Sequence, residues 1–363
     1  MKLTLKLMMI VLLIGCGDQQ DNLSILSVEK LNSVDISSYA TNLEYVKLDD
    51  SILLKSPRKV IQFSDKLFIQ NSEKTNLLIY KMDGTFINLL QKNDLIGLKS
   101  IWDFSIDRIQ NFIYIYDVGS LSIFKFDLDL NYQSKFSVPI VPKDFIVLNG
   151  RYFLVHNAND FINGVQLLDG LYEFTPETEK LTLLSSSPEV ESGVASTNML
   201  SQIRDNDFQF FWMYDDSVRT FSNGKLSVEY VLDNPSDSEF DDPRFSTLYK
   251  FFPASTKDYD SFYRFNSDKL LNHILVDKKA NEVIEINPEF WINSIDYGPV
   301  PTIISNTENG EFIGVLDSEA LFLRKDKYLK EMESNNSVAS EIYEILNDLS
   351  SDDNLILVLM KMK

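Results

Sequence analysis

Short apolar runs rich in Ile, Phe and Tyr alternate with polar turns along almost the whole chain. The first copy of this unit reads Leu67–Ile69, Leu77–Tyr80, the turn Lys81-Met82-Asp83-Gly84, then Phe86–Leu90. The second reads Phe112–Asp117, Ile123–Asp127 and Phe136; the third reads Tyr152–Val155, Leu171–Phe174 and Leu181–Leu184. A fourth runs Phe210–Tyr214, Val218–Phe221, an Asn223-Gly224 turn and Val228–Leu232. A fifth holds Ser261–Phe265, His273–Asp277 and Val283–Ile286, and a degraded sixth holds Phe312–Val315 with Ala320–Leu323. β-Branched and aromatic residues suit a pleated, half-buried surface, and Asp-Gly or Asn-Gly supplies the positive φ of tight hairpins. Many runs are apolar throughout, as in strands packed on both faces.

Corresponding strands start about 40–60 residues apart, the spacing of four-stranded propeller blades with uneven loops. The pattern therefore predicts an all-β chain: a six-bladed β-propeller over residues 39–363 with a short C-terminal helix. That helix is expected over Val338–Leu349, where Ile342, Ile345, Leu346 and Leu349 share one face and Ser337 stands as N-cap. A closing strand is expected at Leu355–Met360, completing one blade with the early strand Leu43–Leu48.

The N-terminus breaks this pattern. Lys2 and Lys6 precede an apolar run from Leu7 to Ile14 that ends in Leu13-Ile14-Gly15-Cys16. The run is shorter than the roughly 20 residues a spanning helix needs, so residues 1–16 read as a signal peptide. The last four resemble the bacterial lipobox, which implies lipidation of Cys16 and anchoring to a bacterial membrane through the acyl chains. Cys16 is the only cysteine, so the exported body must rely on its apolar core rather than on disulfides. Residues 17–38 are mostly polar and lack a clear period, and are expected to form a flexible tether.

Composition changes the picture in one respect. Of 363 residues, 54 are acidic and 34 basic, a formal charge of −20, which repels phosphate backbones and argues against a nucleic-acid partner.

The whole pattern resembles the six-bladed β-propeller lipoproteins of Bacteroidetes, related to NHL-type propellers. The resemblance rests on the lipobox, Leu43–Leu48, Lys59–Ile69, the Ile79–Phe86 turn, Ile101–Asp107 and Asp352–Leu359. The chain departs from it at Leu355, where the family often has proline. The resemblance implies the fold and a cell-envelope address, periplasmic or surface-facing, and little about activity.

Candidate chemistry is sparse. Only His156 and His273 exist, neither with a second histidine at ligand spacing, so no metal site is expected. Asp127-Leu128-Asp129-Leu130-Asn131 alternates oxygens but lacks the glycine and distal glutamate of a calcium loop. No Gly-x-Ser-x-Gly elbow and no glycine-rich phosphate loop appears, and no cofactor is implied. What remains is a binding surface at one mouth of the channel, with Arg58, Trp102, Asp103, Lys143, Asp144, Trp212 and Tyr297 as candidates. Aromatic faces would stack on a ligand while charges orient it. The expected function is a non-enzymatic binding or scaffold module for a glycan, a peptide or an envelope protein. The alternative is a carboxylate-based glycan hydrolase or lyase, in which Asp103 or Asp144 would be essential.

Overall fold

The computed structural model describes residues 24–54, 56–156, 161–162, 165–186, 199–211, 217–233, 251–265 and 271–363. Cys16 and Trp212 lie outside the described residues.

Antiparallel four-stranded units follow one another in chain order, beginning with strands Pro57–Phe63, Asp103–Asp107, Asp144–Leu148, Leu200–Arg204, Phe251–Ser255 and Thr302–Asn306. The sixth unit takes its third strand, Ile356–Met362, from the end of the chain and its fourth, Ala40–Lys47, from near the beginning. These two strands pair along their length, from Ile356 opposite Lys47 to Met362 opposite Ala40.

Period-two alternation explains why the units pack face to face. In Lys66–Asn71, Phe68 joins a cluster shared with the second unit, whereas Leu67 and Ile69 join one shared with the sixth. In Phe112–Asp117, Ile113 and Ile115 face the first unit, while Tyr114 and Tyr116 face the third. Further clusters join the third unit to the fourth through Phe153 and Phe208, and the fourth to the fifth through Phe211 and Phe262. The fifth joins the sixth through Leu275 and Phe312, and the sixth returns to the first through Ile313 and Leu67. Each neighbouring pair thus shares a core, and each fully buried large side chain contributes roughly 1.5–3 kcal/mol. The architecture is propeller-like.

The tight turns carry the backbone that their sequences demand. Gly84 has φ +84°, and a Cβ there would stand 2.1 Å from the Lys47 carbonyl oxygen. Asn223 and Gly224 both have positive φ.

Two expectations fail. Residues 24–38 are not a tether. Ser24–Lys30 is a strand that pairs in parallel with Lys225–Asp233 and then with Glu282–Ile286, covering the outer edges of the fourth and fifth units. Val34–Asp35 pairs with Trp291–Ile292, and a 3-10 turn follows at Ile36–Ser38. Covering exposed edges removes unpaired N–H and C=O groups that would otherwise template aggregation.

The helical region also differs. Helix α1 spans Ser318–Ser334, capped by the Asp317 carboxylate on the Ala320 N–H, and it absorbs Ala320–Leu323, which was expected as a strand. Helix α2 spans Glu341–Asp348 with Ser340, not Ser337, at its N-cap. Ile342 and Leu346 are buried as their spacing requires, and α2 packs into the core between the fifth and sixth units. No helix among the described residues is long and apolar enough to cross a membrane.

Candidate functional site

One cavity of about 50 Å³ is lined by residues from the first strand of every unit, which makes those strands the inner wall. Among the described residues the inner strands of neighbouring units form no backbone ladder with one another, and side chains bridge them instead. The Asp103 carboxylate accepts from the Phe145 N–H at 3.3 Å, the Ser105 hydroxyl from Val147 N–H at 2.9 Å, and Asp107 from Gly150 N–H at 2.6 Å. These contacts advance in step along both strands, so the two run in the same direction. Asp144 continues the series by accepting from Met199 N–H at 2.6 Å and Leu200 N–H at 2.7 Å. Ser305 donates to the Val60 carbonyl at 2.6 Å, linking the sixth unit to the first.

Because these strands run alike, their beginnings share one mouth. There Lys59 extends its ammonium to Asp103 at 3.0 Å and to Asp144 at 3.3 Å, three side chains from three units. The ammonium also lies within 6 Å of the Phe104 and Phe145 rings. Burial works to lower the Lys59 pKa, but the two carboxylates more than reverse it and hold the group above its ordinary value. The Asp103 carboxyl is pushed up to about 6, by burial above all; Lys59 pulls it down and Asp144 pushes it up. Both aspartates are almost wholly buried, at 2% and 1% exposure, and their oxygens are committed to Lys59 and to backbone N–H groups.

Above this triad sits a basic and aromatic rim. Gln70 donates to the Ile101 carbonyl at 2.6 Å, and the Ile101 N–H donates to the Lys74 carbonyl at 3.1 Å. These bonds set the turn carrying Lys74 over Trp102, with the Lys74 ammonium 3.1 Å from the centroid of the indole ring. The Arg58 guanidinium lies 6.0 Å from the same centroid. The Trp102 body packs against the core between the second and third units, and its indole N–H has no hydrogen-bond partner. Lys74 is pushed down to about 8, by burial first and then by the positive charge of Arg58, with a further contribution from Lys143. Arg58 and Lys74 thus share the Trp102 ring, and Lys143 immediately precedes the inner strand of the third unit at the same mouth.

Of the residues singled out from sequence, Arg58, Trp102, Asp103, Lys143 and Asp144 thus gather at one mouth. Tyr297 does not join them: it packs against the core between the fifth and sixth units, in a loop where its own φ is +62°. Lys59 and Lys74 were missed. Lys59 neighbours Arg58 in a strand where alternate residues face opposite ways, so only one of the two could be chosen from position alone. Lys74 sits in a hairpin turn whose aim no local pattern reveals.

Both histidines are buried. His273 is buried, stacks on Tyr263 and bonds Ser261 through Nε2 at 2.8 Å; burial pushes its pKa down to about 3. His156 is fully buried. Among the described residues no group of three or more His, Cys, Asp or Glu gathers to hold a metal.

Comparison with known proteins gives a family without an assigned activity. The profile described as "Domain of unknown function (DUF4934)" matches residues 22–361. A Bacteroides fragilis crystal structure, of a protein whose name marks it as a candidate exported protein, is similar with a TM-score of 0.71 at 15% identity. The match covers 94% of this chain and 100% of that one. A Bacteroides vulgatus member of the DUF4221 family gives a TM-score of 0.51 at 8% identity, over 89% of this chain and 97% of that one. At such identities the likeness concerns the fold alone. No functionally curated protein matches.

Proposed function

The chain belongs to the DUF4934 family, and from that premise we propose that it is an exported six-bladed β-propeller that binds a ligand at the mouth around Trp102. The blade count follows from reading each four-stranded unit as one blade, the last closed by both ends of the chain. The body is held at the cell envelope by acyl chains on Cys16, as in the NHL-like propeller lipoproteins it resembles. It acts as a binding or scaffold module without catalysis, engaging a glycan, a peptide or an envelope protein.

The observation that carries this reading is the pair Arg58 and Lys74 set against one indole, with Lys143 at the start of the next inner strand, in a protein of charge −20. Lys74 covers the exposed indole face, so the rim recognises a ligand through its negative charge, by charge-assisted hydrogen bonds to cations that the ring holds in place. The hydrolase reading is disfavoured by the same geometry. A general acid and base must reach a substrate, whereas Asp103 and Asp144 lie beneath the rim with their oxygens engaged.

Binding to an array of acidic and neutral glycans and peptides tests the reading. Trp102→Ala and Lys143→Glu are each expected to weaken the best ligand at least tenfold, with the melting temperature of the free protein little changed for Lys143→Glu. Ligand turnover abolished by Asp103→Asn would instead establish the enzyme. The anchor is tested separately: Cys16→Ser should move the protein from the membrane pellet to the soluble fraction of the envelope. Unchanged pelleting after detergent-free washing would remove lipidation from the proposal.

A further inference from the structure

Arg108 stands just beyond the inner strand of the second unit, at the end of the channel away from Trp102. Its backbone is locked. Asp107 accepts from the Ile109 and Gln110 N–H groups at 3.1 Å each, and its other oxygen accepts from Gly150 N–H. The turn therefore holds the Arg108 side chain on the wall of the central cavity. Only 7% of the residue is exposed, and its Nε–H has no hydrogen-bond partner. Glu308 and Asp205 act on its charge from a distance, and neither forms an ion pair with it among the described residues.

The Nε–H of that guanidinium is buried without a hydrogen-bond partner, which is costly. Burying a charge without a partner costs several kcal/mol, and natural interiors answer such groups with a counterion or with water. Other donors on the wall are already committed: Lys59 to two aspartates, Ser201 to Asn306, and Ser305 to the Val60 carbonyl. Ser105 differs. Its oxygen accepts from the Val147 N–H, which leaves the hydroxyl proton able to donate, and the residue is 2% exposed on the same wall.

We propose that the central cavity is a binding site for one small inorganic anion of halide size, held by the Arg108 guanidinium and the Ser105 hydroxyl. A volume of about 50 Å³ suits such an ion. Arg108 lies at the end of the channel away from Trp102, although Lys59 of the triad also lines the cavity wall, and anion binding there does not require the ligand proposed at the mouth. Its effect is on the ring: an anion bound only by the folded state stabilises it by mass action.

The test is thermal unfolding at constant ionic strength while chloride replaces gluconate, which is too large for the cavity. The native protein is expected to gain about 2–4 °C in Tm and then saturate. Arg108→Met is expected to melt above the native protein in gluconate, because an unpaired buried charge has gone, and to show no response to chloride. This crossing of the two curves is not produced by a general salt effect, which would shift both alike. Crystals grown in bromide give a second readout that needs no variant: an anomalous peak within 3.5 Å of the Arg108 guanidinium. Parallel chloride responses in the two proteins, or bromide crystals without that peak, would overturn the proposal and leave water as the partner of Arg108.

Discussion

Lys59→Met is expected to cost about 3–5 kcal/mol of folding stability at pH 7, read from urea unfolding. Methionine matches the length of the lysine stem, so the packing against Phe104 and Phe145 is largely kept and the loss is electrostatic. Two carboxylates from different units would face each other in a buried site with no cation between them. Replacing all three together, as Lys59→Met with Asp103→Asn and Asp144→Asn, should recover more than half of that loss. An asparagine oxygen still accepts the Phe145, Met199 and Leu200 N–H groups, and no charge is stranded. The triad also sets a pH dependence. The Asp103 carboxyl titrates at about 6 in the folded protein against 3.8 for an ordinary aspartate, so between these values the folded state binds more protons than the unfolded one. Its contribution to stability therefore falls as pH rises from about 4 to 6, and Asp103→Asn should remove that part of the slope. A loss below 1 kcal/mol in Lys59→Met would mean that water solvates the carboxylates and that the triad does not clasp the inner strands.

The repeating strands were legible because both faces of each are buried. Ile113 and Ile115 must face one neighbour and Tyr114 and Tyr116 the other, which leaves a run of four apolar residues that no exposed hairpin would carry. For Asp103 and Asp144 only the position was legible, as charges placed at the starts of apolar strands that lead to the channel; their engagement with Lys59 was not. Segments with only one buried position were not legible. In Ser24–Lys30 only Leu26 is buried, and its partners are parallel strands some two hundred residues away, so composition alone reads it as a tether. Helix α1 misled in another way. Leu321 and Met332 carry its contact with the core, while Leu323 is 78% exposed, so Ala320–Leu323 shows an apolar run without a helical stripe. The rim itself depends on a turn in the first unit reaching the segment before the second. That is tertiary information, absent from any local window around Lys74.

Ending the chain at Leu355 is expected to leave no cooperatively folded protein, the largest effect predicted for it. The strand Ile356–Met362 lies between Phe312–Leu316 and Ala40–Lys47, and among the described residues it is the one ladder partner of the latter. Its alternation serves two cores at once. Ile356, Val358 and Met360 fill the space between the fifth and sixth units, and Leu357 and Leu359 the space between the sixth and the first. Five buried side chains at roughly 1.5–3 kcal/mol each amount to on the order of 10 kcal/mol, comparable with the whole stability of a typical domain. A ring has no way to share that loss, because both cores flanking the sixth unit open together and α2 loses the surface it packs against. Adding the missing segment as a synthetic peptide should restore part of the native circular dichroism and protease resistance by strand addition, since the vacated edges still offer a full ladder. Val358→Asp in the intact chain should reproduce most of the defect, by placing an unpaired carboxylate in a fully buried position. A truncated protein that melted cooperatively near the native temperature would show that the sixth unit closes without its last strand, and would remove the shared-core argument on which the ring rests.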